Sequence, residues 1–362
     1  MIDYYRGEAG KRSRWLEKMP LFLFSFCFGL IAIKAQHSTA AMMIGDQMDV
    51  PHRILAASYG IFTYIWKAIL PINLSCLHPY PSSFSSDWSF YLRSFIVLAL
   101  MVFVFIKRKK NPDLFFGILF FVISLLPVLQ LLPVGVAIIA ERYTYLAYIG
   151  LFFALFSFFP KKNLLTLPRI IVPVGIAGFI FLIISMNRCD IWKNSETLWT
   201  DVIDNYPECA IAYCNRGVAY SEIKQSDKAE KDYESAVRYD SVYKEALNNL
   251  GLIYYNSRRF DKALIYYNRA IKSDPEYGEA YNNRGVAMIR KGNKQEALSD
   301  FSKSVKFTPD YANAWLNKGN LLMEIGDTTE GLIDMKKAAD FYLQQGNKEG
   351  YNHAKDLIGL HY

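Results

Sequence analysis

The sequence predicts an all-α protein in two parts: a polytopic helical membrane domain over residues 1–186, followed by a solenoid of stacked helix pairs. Three observations predict it. Apolar stretches close to bilayer length crowd the first half, short basic clusters separate them, and in the second half Gly217, Gly251, Gly285 and Gly319 recur every 34 residues.

The two halves differ in charge. Residues 1–186 hold 17 Lys and Arg against 8 Asp and Glu, whereas residues 187–362 hold 24 against 26. The basic excess therefore belongs to the apolar half, in clusters of the kind that stay on the cytoplasmic side of a bilayer. That distribution excludes a nucleic-acid surface. The five cysteines and five histidines show no metal-ligand spacing, so neither a metal nor a cofactor is expected. The cysteines read as structural thiols, and Cys209 and Cys214 can pair only if the solenoid is exported.

A spanning helix needs about 20 mostly apolar residues. Residues 19–34, 89–106, 113–132, 143–160 and 169–186 approach that length. Residues 1–18 lack the small-residue cleavage site of a signal peptide, so the first of these is expected to remain as an uncleaved span. Residues 52–72 are also apolar but carry Lys67, His52 and Arg53. The clusters at Lys11–Arg14, Lys107–Lys110 and Lys161–Lys162 decide how this segment is read. All three lie inside only if an even number of crossings separates each pair, which makes 52–72 an interfacial helix with Tyr59, Tyr64 and Trp66 as anchors. Residues 35–88 and 133–142 then lie outside, and so does the solenoid. The expected location is a bacterial inner membrane or an equivalent bilayer, with the repeats on the periplasmic or exoplasmic side.

The outer turn 133–142 ends in Glu141-Arg142, followed by Tyr143, Tyr145 and Tyr148. An ion pair at the mouth of two spans is costly unless it is satisfied. Either the two charges neutralise each other or snorkel to headgroups, or they form a lipid-phosphate site in which the planar fork of Arg142 engages the phosphate. Membrane lipid is the partner in the second case.

With each glycine as the eighth position, four repeats fill 210–345, beginning at residues 210, 244, 278 and 312. Tyr213, Leu247, Tyr281 and Trp315 take the fourth position, and Ala229, Ala263, Ala297 and Gly331 the twentieth. Tyr233, Tyr267, Phe301 and Met335 take the twenty-fourth. This is the period and pattern of the tetratricopeptide repeat, a helix-turn-helix unit that buries its apolar face only by stacking. Pro275 and Pro309 stop the second helices, since proline has no amide hydrogen to donate. Both ends of a stack need covering. Within the linker 187–209, Ser195–Pro207 reads as a partial repeat with Trp199 in the bulky position. The tail 346–362 reads as a capping helix carrying Leu357, Ile358 and Leu360.

No nucleophile with a base, no phosphate loop and no metal set appears in the repeats, so their chemistry is recognition and no catalytic residue is assigned. Asn215, Asn249, Asn283 and Asn317 recur at the sixth position, on the first helix of each repeat. Such a row of carboxamides can hydrogen-bond the backbone of an extended exoplasmic protein or peptide; alternatively, asparagine is simply frequent there. The row is similar to the asparagine ladder in the repeat domain of O-GlcNAc transferase.

The order of features carries a wider resemblance. Spans and an interfacial helix are joined by a loop reading Ser86-Asp87-Trp88-Ser89. Ala140-Glu141-Arg142-Tyr143-Thr144-Tyr145-Leu146 stands at a span's outer end, and repeats follow. This resembles the transmembrane and tetratricopeptide-repeat O-mannosyltransferases and their bacterial relatives, of the GT-C class. The resemblance implies transfer of a sugar from a polyprenyl-phosphate donor to a protein hydroxyl, with the repeats binding the acceptor. That family carries its catalytic acids in a diacidic motif on the first exoplasmic loop, which this chain lacks; Asp46 and Asp49 do not match it. The resemblance therefore implies the C-terminal part of such an enzyme, with a missing N-terminal catalytic half as a further partner. The rival expectation is a non-catalytic, membrane-anchored repeat scaffold.

Overall fold

The computed structural model describes residues 49–80, 88–129, 131, 137–158 and 168–359, together with Met19 and Leu23. The chain divides into two compact units between Pro207 and Glu208. The expected span 19–34, residues Asp46 and Asp87 and the basic cluster at Lys161 lie outside the described residues, apart from Met19 and Leu23.

In the first unit, α1 (Val50–Ile69) begins where Asp49 accepts the His52 amide at 3.1 Å, an N-cap that satisfies a donor the helix itself leaves unpaired. Asp49 is therefore a capping residue. Helix α2 (Trp88–Lys107) packs along α1, and α3 (Pro112–Leu125) starts at an Asn111 cap that accepts from the Leu114 amide. Pro127 follows within a short 3-10 turn, Leu126–Val128. After β2 (Ala137–Ile139) and a 3-10 turn at Glu141–Tyr143 comes α4 (Thr144–Phe156). Helices α3 and α4 cross at glycines. A Cβ added to Gly117 would lie 2.5 Å from the Gly150 carbonyl oxygen, and one added to Gly150 2.6 Å from that of Gly117. Small residues of this kind let two apolar helices approach to backbone contact, the packing favoured in bilayers. Phe121, Leu125, Phe90, Tyr64 and Ala147 form the buried centre.

The unit is not wholly helical. Strand β1 (His78–Pro79) pairs antiparallel with β2, matching His78 to Ile139. Two- and three-residue strands leave no alternation in the sequence, so the pairing was not foreseeable there.

Among the described residues, two helices are long and apolar enough to cross a membrane by length and composition: α2, and residues 172–191 of α5 (Pro168–Ile191). The expected spans 113–132 and 143–160 are represented by shorter helices. At 1.5 Å per residue, the 13 residues of α4 reach about 20 Å, less than the ~30 Å of a hydrocarbon core. The described residues thus supply two helices of sufficient length, which does not confirm the polytopic arrangement drawn from composition. Helix α5 runs on past residue 186, and α6 (Ser195–Asn205) follows behind an Asn194 cap.

The second unit is a run of antiparallel helix pairs. These are α7 (Ala210–Glu222) with α8 (Ser226–Tyr239), α9 (Lys244–Asn256) with α10 (Phe260–Ser273), α11 (Gly278–Arg290) with α12 (Lys294–Phe307), and α13 (Ala312–Glu324) with α14 (Thr328–Gln344). Helix α15 (Lys348–Gly359) packs on α14. A Cβ on Gly251 would come within 2.4 Å of the Tyr267 ring, and one on Gly217 within 2.7 Å of the Tyr233 ring. The glycine at the eighth position is thus the seat of the aromatic at the twenty-fourth. Helices α10 and α12 end two residues before Pro275 and Pro309; α8 ends at the same register before Ser241, and α14 runs 17 residues, so the prolines are compatible with the stop without being required for it. On α15, Ala354 is buried while Leu357 and Ile358 pack against the last pair; Leu360 lies outside the described residues. Cys209 and Cys214 are buried free thiols.

Candidate functional site

Two polar constellations stand out, one in each unit.

In the first unit the centre is Glu141. Tyr64, on α1, is buried, and its hydroxyl donates to the Ala140 carbonyl at 3.2 Å and accepts the Ala140 amide at 3.1 Å. Lys67 stands three residues further along the same helix face, so this clasp sets Glu141 against it. Glu141 Oε1 accepts from Lys67 Nζ at 3.2 Å and from the Ser75 amide at 2.8 Å, with His78 Nε2 at 3.4 Å. Lys67 also donates to the Asn73 carbonyl at 2.6 Å. The other nitrogen of His78 meets the Tyr206 hydroxyl. It is the β1–β2 pairing that brings His78 to this place.

Burial alone would raise the Glu141 carboxyl. The His78 hydrogen bond, the Lys67 charge and the Ser75 amide outweigh it and hold the group below the usual range. Burial lowers both Lys67 and His78, against the opposing pull of Glu141. Glu141 thus holds the unit's own cations and an amide. The Arg142 side chain, the other half of the expected pair, lies outside the described residues.

A cavity of about 440 Å³ opens beside this cluster. Lys67, Glu141 and Arg188 supply its charges, and Tyr148, Phe181 and Trp192 are among its apolar walls. Arg188 donates to Asp201 at 2.8 Å, but its Nη2 is buried with no hydrogen-bond partner among the described residues. Lys67 and Arg188, unlike Glu141, escaped the sequence reading: Lys67 was weighed only as a charge within a helix, and Arg188 lay past the end of the last expected span.

In the second unit, Asn215, Asn249, Asn283 and Asn317 are all half-exposed on the first helices. Successive first helices, α9 with α11 and α11 with α13, touch one another directly, which marks the inner side of the stack. Each of the last three carboxamides is tied to the preceding repeat. Asn283 donates to Asn248 at 3.0 Å and Asn317 to Asn282 at 2.8 Å, while Asn249 hydrogen-bonds the Cys214 thiol, which burial pushes up to about 12. A carboxamide has two N–H groups and two acceptor sites. After this tie, each retains capacity toward the groove. Val218 and Leu252, three residues on from Asn215 and Asn249, expose apolar surface beside the row.

The structure also reveals a periodic ion pair that the sequence reading passed over. Arg216 reaches Asp232 at 2.8 and 2.9 Å, Arg284 reaches Asp300 at 2.7 Å twice, and Lys318 reaches Asp334 at 2.8 Å. These are the seventh and twenty-third positions. In the second repeat they are Leu250 and Tyr266, an apolar pair. Comparing the two positions at the 34-residue period would have found it.

Residues 220–277 and 250–312 match the tetratricopeptide repeat family. Among solved structures, MamA is similar at 20% identity over 42% of this chain and 88% of its own, with a TM-score of 0.37. YrrB, described as a TPR protein with an unusual peptide-binding site, is similar at 20% identity over 44% and 90%, with a TM-score of 0.35. The first TPR of Spaghetti (RPAP3), bound to an HSP90 peptide, is similar at 21% identity over 32% and 92%, with a TM-score of 0.31. No curated protein sequence matches the chain. The resemblance of residues 1–186 to membrane glycosyltransferases finds no counterpart in these comparisons. The matched residues and their 34-residue period make the second unit an array of tetratricopeptide repeats.

Proposed function

We propose that this chain is a membrane-anchored repeat scaffold that docks an extended segment of a partner protein along its first helices. The observation that carries this reading is the asparagine row: four half-exposed carboxamides at one register, of which Asn249, Asn283 and Asn317 each spend a hydrogen bond on the preceding repeat and Asn283 also accepts from Asn282 at 3.2 Å, leaving each with further hydrogen-bonding capacity. Backbone recognition of this kind is sequence-tolerant, and the neighbouring apolar residues add contact area. Anchoring is supported by α5, whose apolar side chains at Val172, Ile176, Phe179, Ile180 and Ile183 are exposed around the helix. In water such a surface needs a cover, and a bilayer supplies one. The basic clusters at residues 107–110 and 161–162 support an exoplasmic position for the repeats.

The test is a pair of variants compared for capture of peptides by the full chain in detergent. Replacing Asn215, Asn249, Asn283 and Asn317 by Ala removes the row; replacing Asn248 and Asn282 by Ala removes only the inter-repeat partners of Asn283 and Asn317. Binding is expected to fall about tenfold or more in the first and to persist in the second, with both losing thermal stability. Equal binding by the two variants contradicts the reading.

A second reading rests on the cavity at Glu141. Its two cations and aromatic walls support a lipid-phosphate site, with Arg142 as a further ligand and Glu141 orienting Lys67 rather than touching the phosphate. On this reading the chain is the C-terminal part of a glycosyltransferase using a polyprenyl-phosphate sugar. Native mass spectrometry of the chain extracted from membranes tests it. A co-purifying polyprenyl phosphate, lost in Lys67→Ala with Arg142→Ala, is the expected result, and its absence overturns the reading.

A further inference from the structure

The groove is not neutral along its length. At the second position of each repeat, four residues before each asparagine and therefore on the same helix face, stand Ile211, Glu245, Glu279 and Asn313. Two adjacent repeats thus point a carboxylate into the same register. Glu279 is exposed and accepts from the Tyr277 hydroxyl at 3.0 Å, a neutral donor that leaves its charge in place. The nearest cation to Glu245 is Lys244 at 3.9 Å, and that ammonium is committed to Asp274 at 2.6 Å. Burial raises the Glu245 carboxyl, with smaller contributions from the charges of Asp274 and Glu279 and an opposing one from Lys244. At the thirteenth position the charges are mixed: Glu222 adds negative charge, Glu324 is paired with Lys294 at 3.1 Å, and Arg290, which donates to the Tyr255 hydroxyl at 3.1 Å, keeps its positive charge eleven residues along the helix from Glu279.

We infer that the segment docked in this groove carries lysine or arginine where it crosses the second and third repeats, seated between Glu245 and Glu279 while the asparagines hold its backbone. The inference rests on the docking reading above and names the chemistry of the partner. An acidic segment laid in the same place meets like charge, which is a strong source of discrimination. A basic one gains two ion pairs at half-exposed sites, a modest gain that weakens with salt.

The experiment uses the full chain in detergent and three short fluorescent peptides of one extended scaffold, carrying two lysines, two glutamates or neither. At low salt the lysine peptide is expected to bind about fivefold to tenfold more tightly than the neutral one, the glutamate peptide more weakly than either, and the spread to shrink as salt rises. Glu245→Gln with Glu279→Gln should bring the three affinities together, and Glu245→Lys with Glu279→Lys should reverse their order. Should the half-exposed Glu245 variants melt early, Glu279→Gln alone, at an exposed site, still halves the effect. Equal binding of the three peptides to the unaltered chain overturns the basic partner and leaves the docking groove standing. Failure of all three to bind overturns the groove and this inference with it.

Discussion

Lys67, His78 and Glu141 share one small volume, and their protonation is coupled to the stability of the first unit. The imidazole of His78 sits below its usual 6.5 because burial disfavours its charged form. Between the folded value and 6.5 the unfolded chain binds more protons, so stability is full above that window and falls as the pH drops through it. Glu141, held below 4.5, acts in the same direction: its contribution is present above 4.5 and lost as the pH falls through the folded value. Acidification is therefore expected to lower the melting temperature of the first unit in two stages, and His78→Gln to remove the upper one. Tryptophan fluorescence melts from neutral to acid pH check this; an unchanged upper stage in the variant contradicts the assignment. In the second unit, Lys224 and Arg258 have φ of 60° and 59° at the turn between paired helices, where the later repeats place Gly292 and Gly326. A left-handed conformation costs a side-chain-bearing residue about 1–2 kcal/mol, part of which glycine gives back as chain entropy. Lys224→Gly and Arg258→Gly should each raise stability by about 0.5–1 kcal/mol in denaturant melts.

At the scale of helices, the glycine and the ring opposite it form one packing unit. Gly251→Ala places a methyl 2.4 Å from a ring carbon of Tyr267, in a contact buried on all sides, and is expected to cost about 1–3 kcal/mol. The buried ion pair between the helices of a repeat has a built-in comparison, because the second repeat does without it. Removing one partner, as in Asp300→Ala, leaves Arg284 uncompensated and should cost about 3 kcal/mol or more. Importing the second repeat's solution, Arg284→Leu with Asp300→Tyr, should recover most of that loss; a double variant no more stable than the single one refutes the equivalence. The repeats were legible in the sequence because four copies display the same packing constraint at one period. The polar ties between repeats were less so, since they join the fifth position of one repeat to the sixth of the next and use a thiol at one junction and carboxamides at the others. The cluster around Glu141 was legible only as the acid of a Glu141-Arg142 pair. Its partners come from α1, from a two-residue strand and from the segment between α1 and β1, places that no local pattern connects.

For the whole molecule, the expected membrane topology makes a direct claim. A reporter fused after residue 110 should read cytoplasm and one after residue 190 exterior; a cytoplasmic signal at 190 contradicts the even crossing count derived from the basic clusters. The apolar segments 113–132 and 143–160 were legible as helices, but mean apolarity does not reveal that α3 runs into Pro127 or that α4 is only 13 residues long. What unites the account is the groove of the repeats. The most direct test is peptide affinity of the full chain in detergent, measured in parallel for the Asn215, Asn249, Asn283 and Asn317 alanine variant and for the Asn248 and Asn282 alanine variant. The account predicts that only the first loses affinity, by about tenfold or more, although both are destabilised. If binding survives without the row, or falls equally in both, the asparagines serve the stack alone and the docking groove is contradicted.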